Sequence, residues 1–157
     1  MERFLSNWLV KNKEQDRSCY PMVPCIICED GFSLSVQCNS GSYGAPREDY
    51  SDFYWQGEVG YPSEKPDFIM GHCENPHRPT DTIYPYVEIE LVEQLILQHG
   101  GISEEKTAKL KKEKAVRNVF ETWWARSKYT NVITASKAHK QLALDGFNAA
   151  MAFMESK

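Results

Sequence analysis

The sequence predicts an α+β fold, in which a small antiparallel β-sheet is packed by a helix and followed by a C-terminal αα-hairpin. The first observation is a β-hairpin pattern between Pro21 and Cys38, where an apolar run, a turn signal and an alternating segment follow one another. The second is a set of apolar residues at helical spacing between Glu88 and His99. The third is a pair of longer helical patterns after Ser103. At 157 residues, the chain is long enough for one hydrophobic core.

These patterns divide the chain into three parts. Residues 1–20 form an N-terminal amphipathic helix and link, residues 21–102 form the α+β body, and residues 103–157 form a C-terminal helical hairpin. In the first part, five apolar residues recur at helical spacing: Met1, Phe4, Leu5, Trp8 and Leu9. Such a helix could cover the sheet or lie on a membrane surface. We expect it to cover the sheet, because a helix this short with so few cations binds a membrane surface poorly.

The hairpin supplies the first two strands of the body. Its first strand lies in the apolar run from Val23 to Cys28, and Asp30-Gly31 is the turn signal. In the second strand, four apolar residues alternate with three polar ones: Phe32, Leu34, Val36 and Cys38 with Ser33, Ser35 and Gln37. One face of the hairpin is therefore predicted to be buried.

A third strand is predicted between Tyr50 and Pro62. Four residues there alternate with three others: Phe53, Trp55, Gly57 and Val59 with Tyr54, Gln56 and Glu58. Aromatic residues on both faces indicate that the second face is either covered, by the N-terminal helix, or exposed for recognition. Four prolines between Pro62 and Pro79 exclude long regular structure, so we expect a loop with one helical turn near Phe68 to Met70.

The helix of the body follows a short β-type run after Thr82. Three acidic residues, Glu88, Glu90 and Glu93, complement the helix dipole near the N-terminus of this helix. Gly100-Gly101 can adopt the left-handed conformation that ends it. His99, in the last turn, is predicted to compensate the dipole of the same helix. The apolar face consists of Leu91, Val92, Leu95 and Ile96.

The C-terminal part begins with Ser103 as the N-cap of a long helix that ends near Ser127, and a second helix is predicted from about Thr134 to Met154. The first half of the long helix is basic: Lys106, Lys109, Lys111, Lys112, Lys114 and Arg117. Its second half and the following helix carry large apolar residues, which we expect to pack between the two helices and to form a contact surface.

The net charge of −4 conceals a division by sign. Residues 21–100 carry a net charge of −10, and residues 101–157 carry +5. This division is typical of a chain that meets a macromolecular partner or associates with itself, for example as a homodimer through the C-terminal helices. The alternative is two ordinary solvated faces. An acidic body repels a polyanion, so nucleic acid is not the favoured partner, although the basic helix 106–117 leaves that alternative open.

Five cysteines, an odd number at uneven spacing, indicate reduced thiols rather than a disulfide framework. A zinc site would need four converging ligands, and the residues that could supply them are Cys25, Cys28, His72, Cys73 and His77. A β-strand would send Cys25 and Cys28 to opposite faces. We therefore expect no structural metal and no cofactor.

Two loops are candidates for an enzyme's site. In residues 39–47, Gly41 and Gly44 would let a ligand approach the backbone, and Arg47 could pair with a carboxylate or phosphate. Residues 71–77 contain His72 and Cys73. No nucleophile elbow, metalloprotease motif or glycine-rich cofactor motif is present, so we assign no catalytic residue. The predicted binding residues are Tyr43, Arg47, Tyr54, Trp55, Glu58, Trp123, Trp124, Phe147 and Met151.

Several short segments of the sequence resemble segments of known proteins. Those of the body are Ser35-Val36-Gln37, Tyr43 to Arg47, Glu58 to Ser63, Tyr86 to Val92 and His99 to Ile102, and those of the tail are Phe120 to Trp124 and Gly146 to Ala150. Over roughly residues 33–154, they resemble a group of small uncharacterised proteins of tailed bacteriophages and prophages. The tail resembles a C-terminal helical module that many small phage proteins share.

The resemblance implies a phage or prophage origin but no particular activity. For a small phage protein, an acidic, aromatic-rich body without a reaction motif favours a non-enzymatic accessory protein that binds a host or phage macromolecule. By analogy, we expect it to inhibit a host defence or nucleic-acid enzyme. No run approaches the roughly 18 apolar residues of a membrane span, and residues 1–13 lack the apolar centre of a signal peptide. We therefore expect the chain to stay in the cytoplasm, which for a phage protein is the cytoplasm of the host cell. Two alternatives stay open: nucleic-acid binding through helix 106–117, and an enzyme that uses loops 39–47 and 71–77.

Overall fold

The computed structural model describes residues 4–15, 19–130 and 137–155, and over these ranges it confirms the α+β class. The elements in chain order are α1 (Phe4–Lys11), β1 (Glu14–Gln15), β2 (Pro21–Met22), β3 (Ile26–Ile27), β4 (Ser33–Gln37), β5 (Gln56–Gly60), a 3₁₀ helix (Asp67–His72), β6 (Ile83–Glu88), α2 (Ile89–Gln98), α3 (Glu104–Thr130) and α4 (Lys137–Glu155). β1 and β2 form a short ribbon, and the other four strands form an antiparallel sheet in the order β3–β4–β5–β6. Neighbouring strands of the sheet are thus neighbours in sequence.

The predicted hairpin is formed by β3 and β4, with Ile26 paired to Leu34. Its turn depends on Asp30, whose carboxylate accepts a hydrogen bond from the backbone N–H of Phe32 at 2.8 Å. It also depends on Gly31, which adopts a φ of +99°. The predicted buried face is confirmed, since all four of its apolar side chains are buried: Phe32, Leu34, Val36 and Cys38.

The third strand, β5, is shorter than predicted, and its alternation begins later. Val59 is fully buried, but Trp55, predicted on the same face, is 49% exposed, and Tyr54 is fully buried instead. The reason is that the carbonyl of Ala45 accepts hydrogen bonds from the N–H groups of both Trp55 (3.0 Å) and Gln56 (3.1 Å). Two successive N–H groups that share one acceptor interrupt the regular alternation of a strand.

The predicted body helix is α2, and it packs into the same core as the strands. Its buried apolar residues are Ile89, Val92, Leu95 and Ile96. The glycine stop is confirmed: Gly100 and Gly101 have φ values of +84° and +90°, and their N–H groups bond to the carbonyls of Leu97 (3.1 Å) and Ile96 (2.9 Å). The one-turn helix predicted near Phe68 is also present, as the 3₁₀ helix.

His99 makes a contact that differs from the predicted interaction with the helix dipole. Its Nδ1 lies 2.7 Å from Oδ2 of Asp30. Its ring also stacks on Phe32, with 3.9 Å between ring centroids and an angle of 13° between planes. His99 therefore joins the end of α2 to the hairpin turn.

The N-terminal helix, α1, is fixed to α2 and to the segment before β5. Leu5 and Leu9 are fully buried. The N–H of Leu5 donates to Oε1 of Glu93 at 2.9 Å, and the Oγ of Ser6 accepts from the N–H of Tyr54 at 3.1 Å. Glu93, predicted to complement the dipole of its own helix, is thus a buried partner of α1.

The first turn of α3 is joined to β3. The N–H of Ser103 donates to the carbonyl of Ile27 at 2.8 Å, and Oγ1 of Thr107 accepts from the N–H of Ile27 at 3.1 Å. The chain forms two compact units that divide after Ala108, inside α3, whereas the change in sequence pattern lies before Ser103. These hydrogen bonds explain why the start of the helix belongs to the first unit.

The second unit contains the rest of α3 together with α4. Phe120 is fully buried, and its ring centroid lies 5.5 Å from that of Phe147 and 5.9 Å from that of Trp124. Nζ of Lys140 lies 2.7 Å from Oε2 of Glu121. The two helices therefore pack against each other, as the sequence predicts.

Candidate functional site

A β-bulge between β5 and β6 organises the candidate site. The pairing register shifts between Gly57 and Val59, so that Glu58 alone faces both Pro85 and Tyr86. Pro85 has no N–H to contribute to the ladder. Tyr86 adopts a φ of +52°, which is rare for a bulky side chain, and is 41% exposed. The bulge thus presents the ring of Tyr86 at the surface.

The loop of residues 39–47 lies against this bulge. The N–H of Tyr86 donates to the carbonyl of Tyr43 at 2.9 Å, and the N–H of Tyr43 donates to Oε2 of Glu58 at 3.0 Å. Gly44 permits the close approach, since a Cβ there would lie 2.7 Å from the carbonyl oxygen of Gln56. The rings of Tyr43 and Tyr86 lie 6.0 Å apart between centroids, tilted by 58°. We call these two residues the tyrosine pair.

A histidine and two carboxylates border the tyrosine pair. Nδ1 of His72 lies 3.2 Å from the carbonyl oxygen of Pro85, and its Nε2 lies 3.4 Å from Oε2 of Glu88. Glu88 pairs with Gln56 across the strands, and the side chains of Gln56 and Glu58 point to the same side of β5. The two carboxylates therefore lie on one face of the sheet. We define the tyrosine face as Tyr43, Glu58, His72, Tyr86 and Glu88.

The tyrosine face offers groups for recognition. Ring faces attract apolar groups and cations, and carboxylates accept strong hydrogen bonds from cationic donors. A histidine beside a carboxylate can also move a proton. Within the part of the chain that the structure describes, however, the polar contacts of the His72 ring are with Pro85 and Glu88, and neither partner is a hydroxyl or a thiol. We therefore assign no reaction to this pair.

Two of the residues considered as zinc ligands, Cys25 and Cys28, lie in other environments. Cys28 is fully buried, and burial raises the pKa of its thiol to about 11. The thiol of Cys25 lies 3.3 Å from the carbonyl oxygen of Leu34. All five cysteines lie in described ranges and are free thiols. Among the described residues, no three histidine, cysteine or acidic side chains are grouped to hold a metal ion.

The structure brings together two of the predicted binding residues, Tyr43 and Glu58, in the tyrosine face. Arg47 lies in the same loop, is exposed, and donates from Nη2 to a backbone carbonyl at 3.2 Å. Trp55, just before β5, is half-exposed. Tyr43, Arg47 and Trp55 are thus accessible to a partner, and Glu58 is partly buried.

The prediction for Tyr54 is corrected, because its side chain is fully buried. Its hydroxyl donates to the carbonyl of Glu48 at 2.9 Å and accepts from the N–H of Ser51 at 3.0 Å and from Nζ of Lys13. The ammonium of Lys13 also lies 4.2 Å from the centroid of the Tyr54 ring. Burial lowers the pKa of Lys13 and raises the pKa of Tyr54. Tyr54 therefore anchors the loop before β5 and is not available to a partner.

Three members of the tyrosine face are missing from the predicted binding residues: His72, Tyr86 and Glu88. The sequence does contain one signal for Tyr86, namely Pro85. A proline inside a strand pattern indicates an edge or a bulge, and a bulge redirects the neighbouring side chain. The contacts of His72 with β6 depend on how the 3₁₀ helix packs, which local sequence patterns do not report.

The second unit contains a different surface feature, a groove between α3 and α4. Trp124 and Phe147, both predicted as binding residues, are half-buried beside Phe120, and the side chains of Trp123 and Met151 lie outside the described residues. The groove has a volume of about 870 Å³. Four cations and one acid are among its lining residues, which are Lys109, Leu110, Lys112, Glu113, Lys114, Val116, Arg117, Leu144, Asn148 and Ala152. We call it the basic groove.

Two further observations bear on the class of protein. Within residues 4–15, 19–130 and 137–155, no helix combines the length and the apolar character needed to cross a membrane. The phage resemblance of the short sequence patches stays a prediction. Comparison with known proteins adds no family to this description, because no family model, no curated protein and no solved structure matches the chain.

Proposed function

We propose that this chain is a non-enzymatic binding protein and that the tyrosine face is its contact surface for another protein. The observation that carries the proposal is the tyrosine pair, whose members stay 43% and 41% exposed although hydrogen bonds fix the backbone around them. Tyrosine is enriched in protein interfaces, because its ring supplies a large contact area and loses little conformational entropy. Bulky residues in a left-handed conformation, such as Tyr86, also cluster at functional sites.

The resemblance to small phage proteins gives this proposal its biological setting. In that setting, the partner is a host or phage macromolecule in the host cytoplasm, and binding inhibits a host defence or nucleic-acid enzyme. Inhibition of this kind needs no catalytic group, because a protein that covers an active site or an interface needs only a complementary surface. The exposed residues of the tyrosine face would then decide the activity.

The proposal is tested by capture of partners from a host lysate with the wild-type chain and two variants. We expect the wild type to retain a protein that both Tyr43→Ala and Tyr86→Ala lose, and we expect the purified partner to reproduce that difference. Tyr61→Ala is the matched control, because Tyr61 is also an exposed tyrosine (61%) with a positive φ (+50°). Capture that survives both substitutions, with the variants folded, refutes the tyrosine face as the contact surface.

A second candidate function is nucleic-acid binding by the second unit. The observation that favours it is the basic groove, in which four of the described lining residues are basic and one is acidic. We rank it below protein binding for two reasons. None of the lining residues that the structure describes is an aromatic side chain on which a base could stack, and the chain as a whole has a net charge of −4.

A further inference from the structure

We infer that the tyrosine face binds a cationic side chain, an arginine or lysine in a basic segment of the partner protein. This inference rests on the proposed function and specifies the chemistry of the partner. Three features of the face lead to it: the geometry of the tyrosine pair, the carboxylates beside it, and the net charge of the body.

The tyrosine pair has the spacing that lets one cation interact with two rings. A cation is attracted to the face of an aromatic ring when it lies within about 6 Å of the centroid. The centroids of Tyr43 and Tyr86 are 6.0 Å apart, so a cation that sits between the two rings lies within this distance of both. The 58° tilt keeps the two ring faces from covering each other, and both rings are partly exposed. A guanidinium or ammonium group can therefore approach both.

The carboxylate of Glu58 is fixed next to this pair. Its Oε2 accepts the N–H of Tyr43 at 3.0 Å, which places a negative charge at the base of one ring. The Glu88 carboxylate, which is 47% exposed and contacts His72, adds a second negative charge on the same face. Charge-assisted hydrogen bonds between a guanidinium and a carboxylate are among the strongest in proteins. Rings and carboxylates thus select for the same class of ligand.

The net charge of the body favours a basic segment of another protein over a nucleic acid or a second copy of this chain. Residues 21–100 carry a net charge of −10, which attracts a cationic segment and repels a nucleic acid. In a symmetric dimer through this face, each copy would present the same residues to the other. Two acidic faces would then meet, which is unfavourable.

The probe is an unstructured peptide of alternating arginine and glycine, titrated into the full-length chain by calorimetry at low ionic strength. The control peptide carries citrulline in place of arginine, which keeps the size and most hydrogen-bond donors but removes the charge. We expect the arginine peptide to bind about ten-fold more tightly than the citrulline peptide. We expect Tyr43→Ala and Tyr86→Ala each to weaken binding about three- to ten-fold.

Further variants test whether binding depends on the tyrosine rings or on their hydroxyls, and whether it depends on the negative charge of Glu58. Tyr43→Phe and Tyr86→Phe retain the ring, so we expect them to bind within about two-fold of the wild type. Glu58→Gln removes the charge but keeps an oxygen for the Tyr43 N–H, and we expect it to weaken binding. Glu74→Gln, at an exposed acid outside the tyrosine face, is the matched control and should weaken binding much less, because it removes the same net charge but no carboxylate of the face. The citrulline peptide and the Glu58→Gln variant keep the test decisive if an alanine variant fails to fold.

Several results would overturn the inference. They are equal binding of the two peptides, a loss in the phenylalanine variants as large as in the alanine variants, and self-association of the chain that the tyrosine substitutions abolish. If capture of the lysate partner depends on the tyrosine pair but the arginine peptide does not bind, the inference fails and the proposed function stands. If capture does not depend on the pair, the proposed function fails whatever the peptide does.

Discussion

The backbone N–H of Leu5 donates a hydrogen bond to the buried carboxylate of Glu93 at 2.9 Å, at the point where α1 meets α2. The first N–H groups of a helix have no partner within the helix, and here a side chain from another helix satisfies one of them. Loss of the acceptor leaves a buried N–H unpaired. This one hydrogen bond therefore couples the N-terminal helix to the core.

We expect Glu93→Ala to lower the free energy of unfolding by about 1–3 kcal/mol, because the N–H of Leu5 would lose its acceptor in the interior. Glu93→Gln keeps an oxygen at the same position and should cost less. Denaturant titrations of the two variants measure the difference. Gln94→Ala, at an exposed neighbour on the same helix, is the control. Equal stabilities of the Ala and Gln variants would contradict the assigned hydrogen bond.

Asp30 should make stability sensitive to acid. The N–H of Phe32 and the imidazole of His99 bond to its carboxylate and lower its pKa below the usual 3.8. Since the folded pKa lies below the unfolded one, the stabilising contribution is present above the unfolded pKa and is lost as the pH falls through the folded pKa. We expect the difference in free energy of unfolding between wild type and Asp30→Asn to shrink below about pH 4. A difference that acid leaves unchanged would count against this role.

The buried thiols should be protected from alkylation in the folded protein. Burial raises the pKa of Cys28 to about 11 and that of Cys38 to about 12, and only the thiolate reacts readily. At mildly alkaline pH, we expect the exposed Cys19 to be modified first and Cys28 and Cys38 only after denaturation. Peptide mapping by mass spectrometry identifies the labelled residues. Labelling of Cys38 as fast as Cys19 in the native protein would show that the core is open.

Truncation after Ala108 should leave a folded first unit with cooperative unfolding, because the unit boundary lies at that point. Truncation after Gly101 should be less stable by about 1–3 kcal/mol, since it removes the hydrogen bonds of Ser103 and Thr107 to Ile27. Thermal and denaturant unfolding experiments measure the stability and the cooperativity of the two fragments. Non-cooperative unfolding of the longer fragment would show that the second unit is required for the fold of the first.

Weak duplex binding at physiological salt is expected, because the cations of the basic groove belong to a chain with net negative charge. A protein that neutralises several phosphates loses roughly 0.9 log units of affinity per phosphate for each tenfold rise in salt. A gel-shift series with the wild type and with Lys111, Lys112 and Lys114 changed to Glu tests this. Submicromolar, salt-sensitive binding that the charge reversal abolishes would make nucleic-acid binding the leading function.

The elements that local sequence determines were predictable. The Asp30-Gly31 turn, the alternation after it and the glycine stop at Gly100-Gly101 each depend on neighbouring residues, and each is confirmed. The phase of β5 was not predictable in the same way, because the carbonyl of Ala45 sets it from a distant position in the sequence. The choice of Tyr54 as a binding residue did not anticipate its burial for the same reason.

The candidate site shows the same division. Gly44 and Pro85 are visible in the sequence as residues that permit close approach and disturb a strand. That they meet, and that Tyr43 and Tyr86 become neighbours as a result, depends on the packing of loop 39–47 against the bulge. No periodicity records such a contact between a loop and a strand. The tyrosine face is therefore a product of tertiary structure.

The left-handed backbone of Tyr86 has a consequence for the thermodynamics of association. A flexible aromatic side chain loses conformational freedom when a partner immobilises it, and that loss opposes binding. At Tyr86, the strained φ of +52° and the hydrogen bond to Tyr43 restrict the backbone that carries the ring before any partner arrives. Folding thus bears the backbone part of the entropic penalty that complex formation would otherwise incur, so the backbone that carries the ring is preorganised for association.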